Sequence, residues 1–456
     1  MKMKRIVVSM FAAGILVSPL ANATNGMLME GYGPIATAMG GASMAYDNGA
    51  AAMANNPATL GLMADGTSRL DLAIGGLHPT VVSKTAGMLD ANSGGKSYFM
   101  PAGGWVKKDG QLAYGIGVFA QGGMGTEYSA LDWVGAGSGK PSRSEVGVGN
   151  LIVPFSYSVN PDLNIGGSLD LVWGGMDLQM AMNANQMGQL AASGNLTPGG
   201  PAAASPAFAA FMAGGAASVG YFNFTDGSKF TQKASSTGYA GKLGVTYKVN
   251  PKLTLGATYH SKTSLGDMTT NGATMDMIMG GATVQSILGR VTIVNFQFPE
   301  TYGFGMAYQA NDDLMLVADY KRIGWAKVMQ NFHMNFAALN GSLTLDMKMP
   351  QNWKDQDVFN LGFAYKTTPE LTLRAGANLA NNPVPSNTVN PLFPAIVKNH
   401  YTVGAGYVFS KTSEVNGSLV YVPKVTTYTA AVPGVSPAYS IDHSQLNWQL
   451  MYSHSF

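Results

Sequence analysis

Apolar and polar residues alternate along much of this chain. Leu253, Leu255, Ala257 and Tyr259 fall on one side of an extended segment, with Thr254, Gly256 and Thr258 on the other. Ahead of them, Leu243, Val245 and Tyr247 oppose Lys242, Gly244 and Thr246. The same period runs through residues 359–365 and through the final stretch, where Leu446, Trp448, Leu450, Tyr452 and Phe456 share a face. A period of two with one apolar face is the mark of a half-buried β-strand. Between strands comes a corner that recurs: a Tyr, a short polar turn, then a new alternating run. It reads YSVNPDL from Tyr157, YKVNPKL from Tyr247, YQANDDL from Tyr308, YKTTPEL from Tyr365 and YVFSKTSEV from Tyr407. The copies are too unevenly spaced for a solenoid. Each reads as a hairpin corner, with Asn, Asp and Pro supplying the turn.

Fourteen such strands can be placed between residues 68 and 456, and their connections alternate in length. The short ones are KKDG, NPD, NPK, AND, TPE and SKTS. The long ones fall near 79–96, 122–145, 174–235, 264–298, 327–355, 380–399 and 424–444. The apolar face covers about ten residues per strand and repeatedly ends in Tyr or Trp beside the turn, as in a membrane barrel with aromatic girdles, short periplasmic turns and long outer loops. The expected fold is therefore all-β: a 14-stranded antiparallel transmembrane β-barrel over 67–456, with both ends on the periplasmic side.

Composition agrees. Charged residues make up 11% of the 456, and 58 are Gly, against soluble averages near 25% and 7%. The net charge of +2 gives no electrostatic basis for a nucleic-acid partner. Without cysteine there are neither disulfides nor thiolate metal sites. Residues 1–23 have the form of a signal peptide: Lys2, Lys4 and Arg5, a short apolar run, then Ala21-Asn22-Ala23, which predicts a mature start at Thr24 and export. The uncharged stretch 201–222 has the length of a membrane helix, but Pro206 and Gly214-Gly215 interrupt it. It is expected to be a partly helical loop.

Residues 24–66 do not alternate. They are rich in Gly, Ala and Met, with Glu30, Asp47 and Asp65 as their only charges. Some forty such residues cannot form a stable domain alone, but they could fold inside a barrel. Gly31-Tyr32-Gly33, the run AMGGASMAYDNGAAAMANNPATL and above all Asn56-Pro57-Ala58 resemble the N-terminal hatch of FadL-type outer-membrane transporters for long-chain fatty acids and hydrocarbons. The resemblance continues through VFAQGGMGTEY (118–128), FPETYGFGMAY (298–308), DYKRIGWAKV (319–328), NWKDQDVFNLGFAY (352–365) and LRAGANLANNPVP (373–385), and so covers the mature chain. It implies a monomeric fourteen-strand barrel in the Gram-negative outer membrane, amid its lipid and lipopolysaccharide, with the hatch plugging the lumen. It also implies an inward kink in the third strand that opens the wall sideways. Gly122 and Gly123 are the candidates for that kink, since Gly within a strand often marks a bulge. From local chemistry alone, Asn56-Pro57 reads as a turn or a helix cap. The terminal Phe456 resembles the signal read by barrel-assembly machinery.

The resemblance implies passive transport of hydrophobic small molecules, captured on outer loops, passed by the hatch and released through the wall. A general porin and a surface-binding structural barrel are the alternatives. The outer loops carry Met180, Phe208, Phe211, Met275 and Met277, which either form an apolar capture surface or pack against each other as a cap. Met27 and Met29 of the hatch could line an internal pocket. For a carboxylate ligand, Lys242 and Arg374 are the candidate cations by strand parity, with Asp170 and Asp319 as their possible neutralising partners. No catalytic motif, phosphate loop or metal-ligand spacing is present, so neither enzyme activity nor a cofactor or metal is expected.

Overall fold

The computed structural model describes residues 25–228 and 231–456. The expected signal peptide and the mature start at Thr24 lie outside these residues. The alternating segments form antiparallel strands that pair in chain order around a ring: Ser68–Leu77, Tyr98–Asp109, Leu112–Tyr128, Ser142–Asn160, Leu163–Asn183, Ala234–Asn250, Leu253–His260, Thr301–Asn311, Leu314–Ile323, Gln356–Lys366, Leu371–Ala380, His400–Ser410, Ser413–Thr429 and Tyr439–Ser455. The ring closes where Arg69 to Gly76 run against Ser455 to Trp448. A closed sheet leaves no edge to lipid.

The expected face is the one turned outward. Leu243, Tyr247, Leu255, Phe359, Leu361, Leu446, Leu450 and Tyr452 are exposed, while Asp170, Lys242 and Asp319 are buried on the lumen side. At three of the five recurring corners a bulge precedes an Asn-bearing turn, between Ser158 and Asn160, Lys248 and Asn250, and Gln309 and Asn311. The Asn side chain then caps the corner. Asn160 Oδ1 accepts from the backbone N–H groups of Asp162 and Leu163, both at 2.9 Å, and Asn250 and Asn311 repeat the arrangement. Such caps satisfy turn amides locally. The Tyr before four of these turns (Tyr157, Tyr247, Tyr308, Tyr407) is exposed and that at Tyr365 is half-buried, as in an interfacial girdle.

The expectation of a fourteen-stranded barrel is corrected: among the described residues the antiparallel sheet has twenty-three strands. The long connections contribute strands of their own. Ser218–Phe224 pairs with Leu163–Asn183 and with Met268–Met279. The same sheet continues through Ala282–Ile293, Asn331–Ala338, Thr344–Pro350 and Leu196–Gly199. Pro79–Thr85 adds to the final strand. The ring strands themselves run on outward. Leu163–Asn183 has 21 residues, roughly 70 Å at about 3.3 Å each, more than twice a hydrocarbon core of about 30 Å. Segment 201–222 holds a short α-helix, Pro206–Ala213, between the 3₁₀ turns Pro201–Ala204 and Gly215–Ala217, before turning into strand at Ser218. Among the described residues no helix is long and apolar enough to cross a membrane.

Residues 25–63 fill the lumen, and nearly all are buried. Their hydrogen bonds reach strands all around the ring. Gly40 N–H donates to Thr402 Oγ1 at 2.9 Å, Ser43 and Met44 N–H to Asp319 Oδ2 at 2.6 and 3.2 Å, and Ala50 N–H to Asp71 Oδ2 at 2.7 Å. The wall makes room with glycine. A Cβ at Gly244 would strike Asn56 Oδ1, one at Gly256 the Met44 carbonyl, and one at Gly376 the backbone of Met39 and Gly40.

Candidate functional site

The strand Leu112–Tyr128 departs from regular pairing halfway along. Its first half pairs with Tyr98–Asp109 as far as Val118 opposite Gly103. Beyond Val118 only Ser142–Asn160 accompanies it, and Gln121 is bulged out between Ala120 and Gly122. On the other side of the gap, Tyr98 to Ala102 pair only with Ser68–Leu77. Pro101 sits there, without a backbone N–H to offer.

The plug occupies the inner side of the bend. Leu28 bridges to Gly122, and Gly123 N–H donates to the Met27 carbonyl at 3.0 Å. Tyr32 Oη donates to the Gln121 carbonyl at 3.0 Å. A Cβ at Gly122 would overlap the Met27 carbonyl, so glycine is what lets the two backbones meet. At Gly123 a Cβ would meet the Val146 carbonyl instead.

Beside the gap lies a cavity of about 330 Å³. Phe99, Met100, Pro101, Val118, Ala120, Met124, Val146, Val148 and Trp173 give it a largely apolar lining. Its polar residues are Tyr98, Glu145, Gln232, His443 and Gln445. Among the described residues no Lys or Arg lines it. Met100 and Ala120 also border a smaller void of about 40 Å³ that reaches Met29, Tyr32 and Phe119 inside the ring. A third void, about 50 Å³, continues past Met29 and Tyr32 towards His260 and Lys321.

Asn56 holds the plug as its sequence suggests. Its Oδ1 accepts from Ala58 N–H at 3.1 Å and caps the short 3₁₀ turn Pro57–Leu62, with Pro57 in the first position. Its Nδ2 donates to the Met44 carbonyl at 2.8 Å. Ser156 Oγ donates to the Ala58 carbonyl at 3.2 Å. Lys321 donates to the carbonyls of Glu30 and Gly41 at 3.2 and 3.0 Å. Burial pushes the Glu30 carboxyl up, against the opposing pull of its own backbone N–H and of Lys321.

Other candidates are placed differently. Met180, Phe208, Phe211, Met275 and Met277 are buried in one apolar cluster that also holds Met27, Leu28, Phe298 and Trp325. They form a packed outer body continuous with the start of the plug, and offer no exposed patch. Met29 lines the two inner voids. Lys242 is ion-paired with Asp170, both buried, beside a void large enough for about one water. Arg374 donates to Asn416 Oδ1 at 2.9 Å and lies apart from these cavities. Sequence reasoning missed the cavity's own polar residues. Glu145 stands in the run SRSEVGVGN, where nothing distinguishes it from any lumen-facing charge.

The sequence model of the family described as "Outer membrane protein transport protein (OMPP1/FadL/TodX)" matches residues 14–432. The crystal structure of the toluene transporter TodX of Pseudomonas putida is 31% identical, with a TM-score of 0.83, over 94% of this chain and 99% of that one. The toluene transporter TbuX of Ralstonia pickettii is 29% identical, with a TM-score of 0.76 and the same coverage. An uncharacterised protein encoded in the 5′ region of the phosphoenolpyruvate carboxykinase gene of Chlorobium limicola is 53% identical over 70 residues. That match spans 15% of this chain and about a third (34%) of the relative's length.

Proposed function

The chain belongs to the OMPP1/FadL/TodX family of outer-membrane transport proteins, and on that premise we propose that it carries hydrophobic small molecules passively across the outer membrane. Members of this family are transport channels built as outer-membrane β-barrels. In this reading the ligand enters from the outer body and occupies the cavity beside the bent strand. It passes the plug at Met29 and leaves sideways, between Tyr98–Asp109 and Leu112–Tyr128, into the membrane. The carrying observation is the loss of pairing beyond Val118 with an apolar cavity against it. Its volume of about 330 Å³ is roughly twice the ~150 Å³ cavity that takes up benzene.

Hydrocarbons fit this site better than fatty acids. The two cations suggested for a carboxylate stand elsewhere, Lys242 already paired with Asp170 and Arg374 bonded to Asn416. The neighbours TodX and TbuX are described as toluene transporters, in line with this preference. A general porin needs an open aqueous lumen, whereas residues 25–63 fill this one. The protein acts as a monomer in this reading, its final strand presenting Phe456 to the assembly machinery.

Ala120 borders both the outer cavity and the first inner void. Ala120→Trp is expected to block the path while leaving the sheet paired. Cells carrying it should accumulate radiolabelled toluene at the rate of cells lacking the protein, with normal amounts of folded barrel in the outer membrane. Wild-type accumulation by this variant would sink the proposal.

A further inference from the structure

The polar end of the cavity carries more negative than positive charge. Glu145 lies in strand Ser142–Asn160 opposite Gly125 and Asp177. The Tyr98 ring tip occupies the space over Gly125, and Glu145 forms part of the cavity wall. Its Oε2 accepts from Arg143 Nη2 at 2.6 Å, and its Oε1 accepts from Gln232 Nε2 at 3.4 Å. The guanidinium is shared. Arg143 also bonds Glu127 at 2.8 Å and approaches Asp177 to 4.0 Å. One formal positive charge therefore serves three carboxylates. Only one of the four, Glu145, faces the cavity.

We propose that Glu145 is a specificity residue that excludes carboxylates from the cavity and so restricts the channel to uncharged ligands. The argument rests on the cavity being the ligand's site, as proposed above. A ligand anion held there loses its hydration, which is costly unless a partner replaces it. The wall offers a second anion instead. At an effective dielectric near 20, two like charges about 6 Å apart repel enough to change affinity by at least tenfold. An uncharged ligand of the same shape meets no such term. The cavity thus selects against an anionic head group as well as selecting for apolar surface.

Two isosteric probes separate these effects: 4-methylacetophenone, which is uncharged, and 4-methylbenzoate, which is an anion at pH 7.5. Binding to the full-length protein in detergent is read from tryptophan fluorescence, since Trp173 lines the cavity. W173F identifies that residue's part of the signal. In wild type the ketone should bind much more tightly than the benzoate. In Glu145→Gln the ratio of the two dissociation constants should shrink by about tenfold. Glu145→Ala, which removes the carboxylate without adding a cation, should shrink it as well, and guards against misfolding of the first variant. An unchanged ratio in folded protein of both variants overturns the assignment of Glu145. Failure of the ketone to change the Trp173 signal in wild type would instead overturn the cavity as the ligand's site, and this inference with it.

Discussion

Asp319 seats the middle of the plug on the wall, and its removal should loosen the plug measurably. Its Oδ2 accepts from the backbone N–H groups of Ser43 and Met44 at 2.6 and 3.2 Å, and both residues are buried. In Asp319→Ala these two buried donors lose their partner. Each orphaned buried donor costs about 1–3 kcal/mol, so the seat should weaken by about 2–6 kcal/mol. Lys321, on the same lumen face, would also lose a nearby carboxylate. A midpoint of about 4 kcal/mol corresponds to roughly a thousandfold in the balance of seated and released plug. Asp319→Asn keeps an acceptor oxygen and loses only the charge, for about 1–2 kcal/mol. Hydrogen–deuterium exchange on the detergent-solubilised protein reports this directly. Peptides covering residues 36–50 should exchange orders of magnitude faster in the Ala variant and modestly faster in the Asn variant, with the wall strands unchanged. If Ser43 and Met44 stay as protected as in wild type while the barrel is folded, the carboxylate does not hold the plug.

Two further substitutions test the interior by thermal unfolding. Asn56→Ala removes a cap worth about 1 kcal/mol together with the bond to the Met44 carbonyl, and faster exchange over residues 56–62 should accompany any fall in melting temperature. Lys242→Met strands the buried Asp170 and should cost about 3–5 kcal/mol, whereas the double variant with Asp170→Asn should recover most of that loss. A double variant as unstable as the single one would show that the pairing itself is not what matters.

The sequence showed the wall plainly because lipid imposes a strict rule on it. Every second residue faces hydrocarbon, so Leu243, Phe359 and Leu446 could be assigned outward from parity alone. The corner turns followed from Asn and Pro chemistry. The outer body was harder, because away from lipid its strands need not alternate cleanly. One clue was nonetheless present. Gly280-Gly281 joins Met268–Met279 to Ala282–Ile293 with φ values of 56° and 83°, and two glycines in that conformation are a hairpin signal. Reading 264–298 as a plain loop overlooked it. For the Met-rich segments the sequence left a capture surface and a packed cap both open, because the strands that bury them were unassigned. The cavity was illegible for another reason. Its opening depends on where pairing stops after Val118, and Met27 meets the bend through its carbonyl, not its side chain. Neither fact is written in residue type.

The glycines that line the wall behind the plug bear on how the molecule is made. Where Gly244, Gly256 and Gly376 face inward, the wall has no side chains of its own to fill the space. Glycine also weakens a strand that must stand alone. An empty barrel with this sequence would be hollow and poorly braced along those rows. The plug is thus less a cork pushed into a finished vessel than the former around which the sheet is cast. Residues 25–63 precede the first strand, so they are at hand when the last strand meets Ser68–Leu77. Along those rows the inner surface of the wall is completed by residues 25–63 and not by the strands themselves.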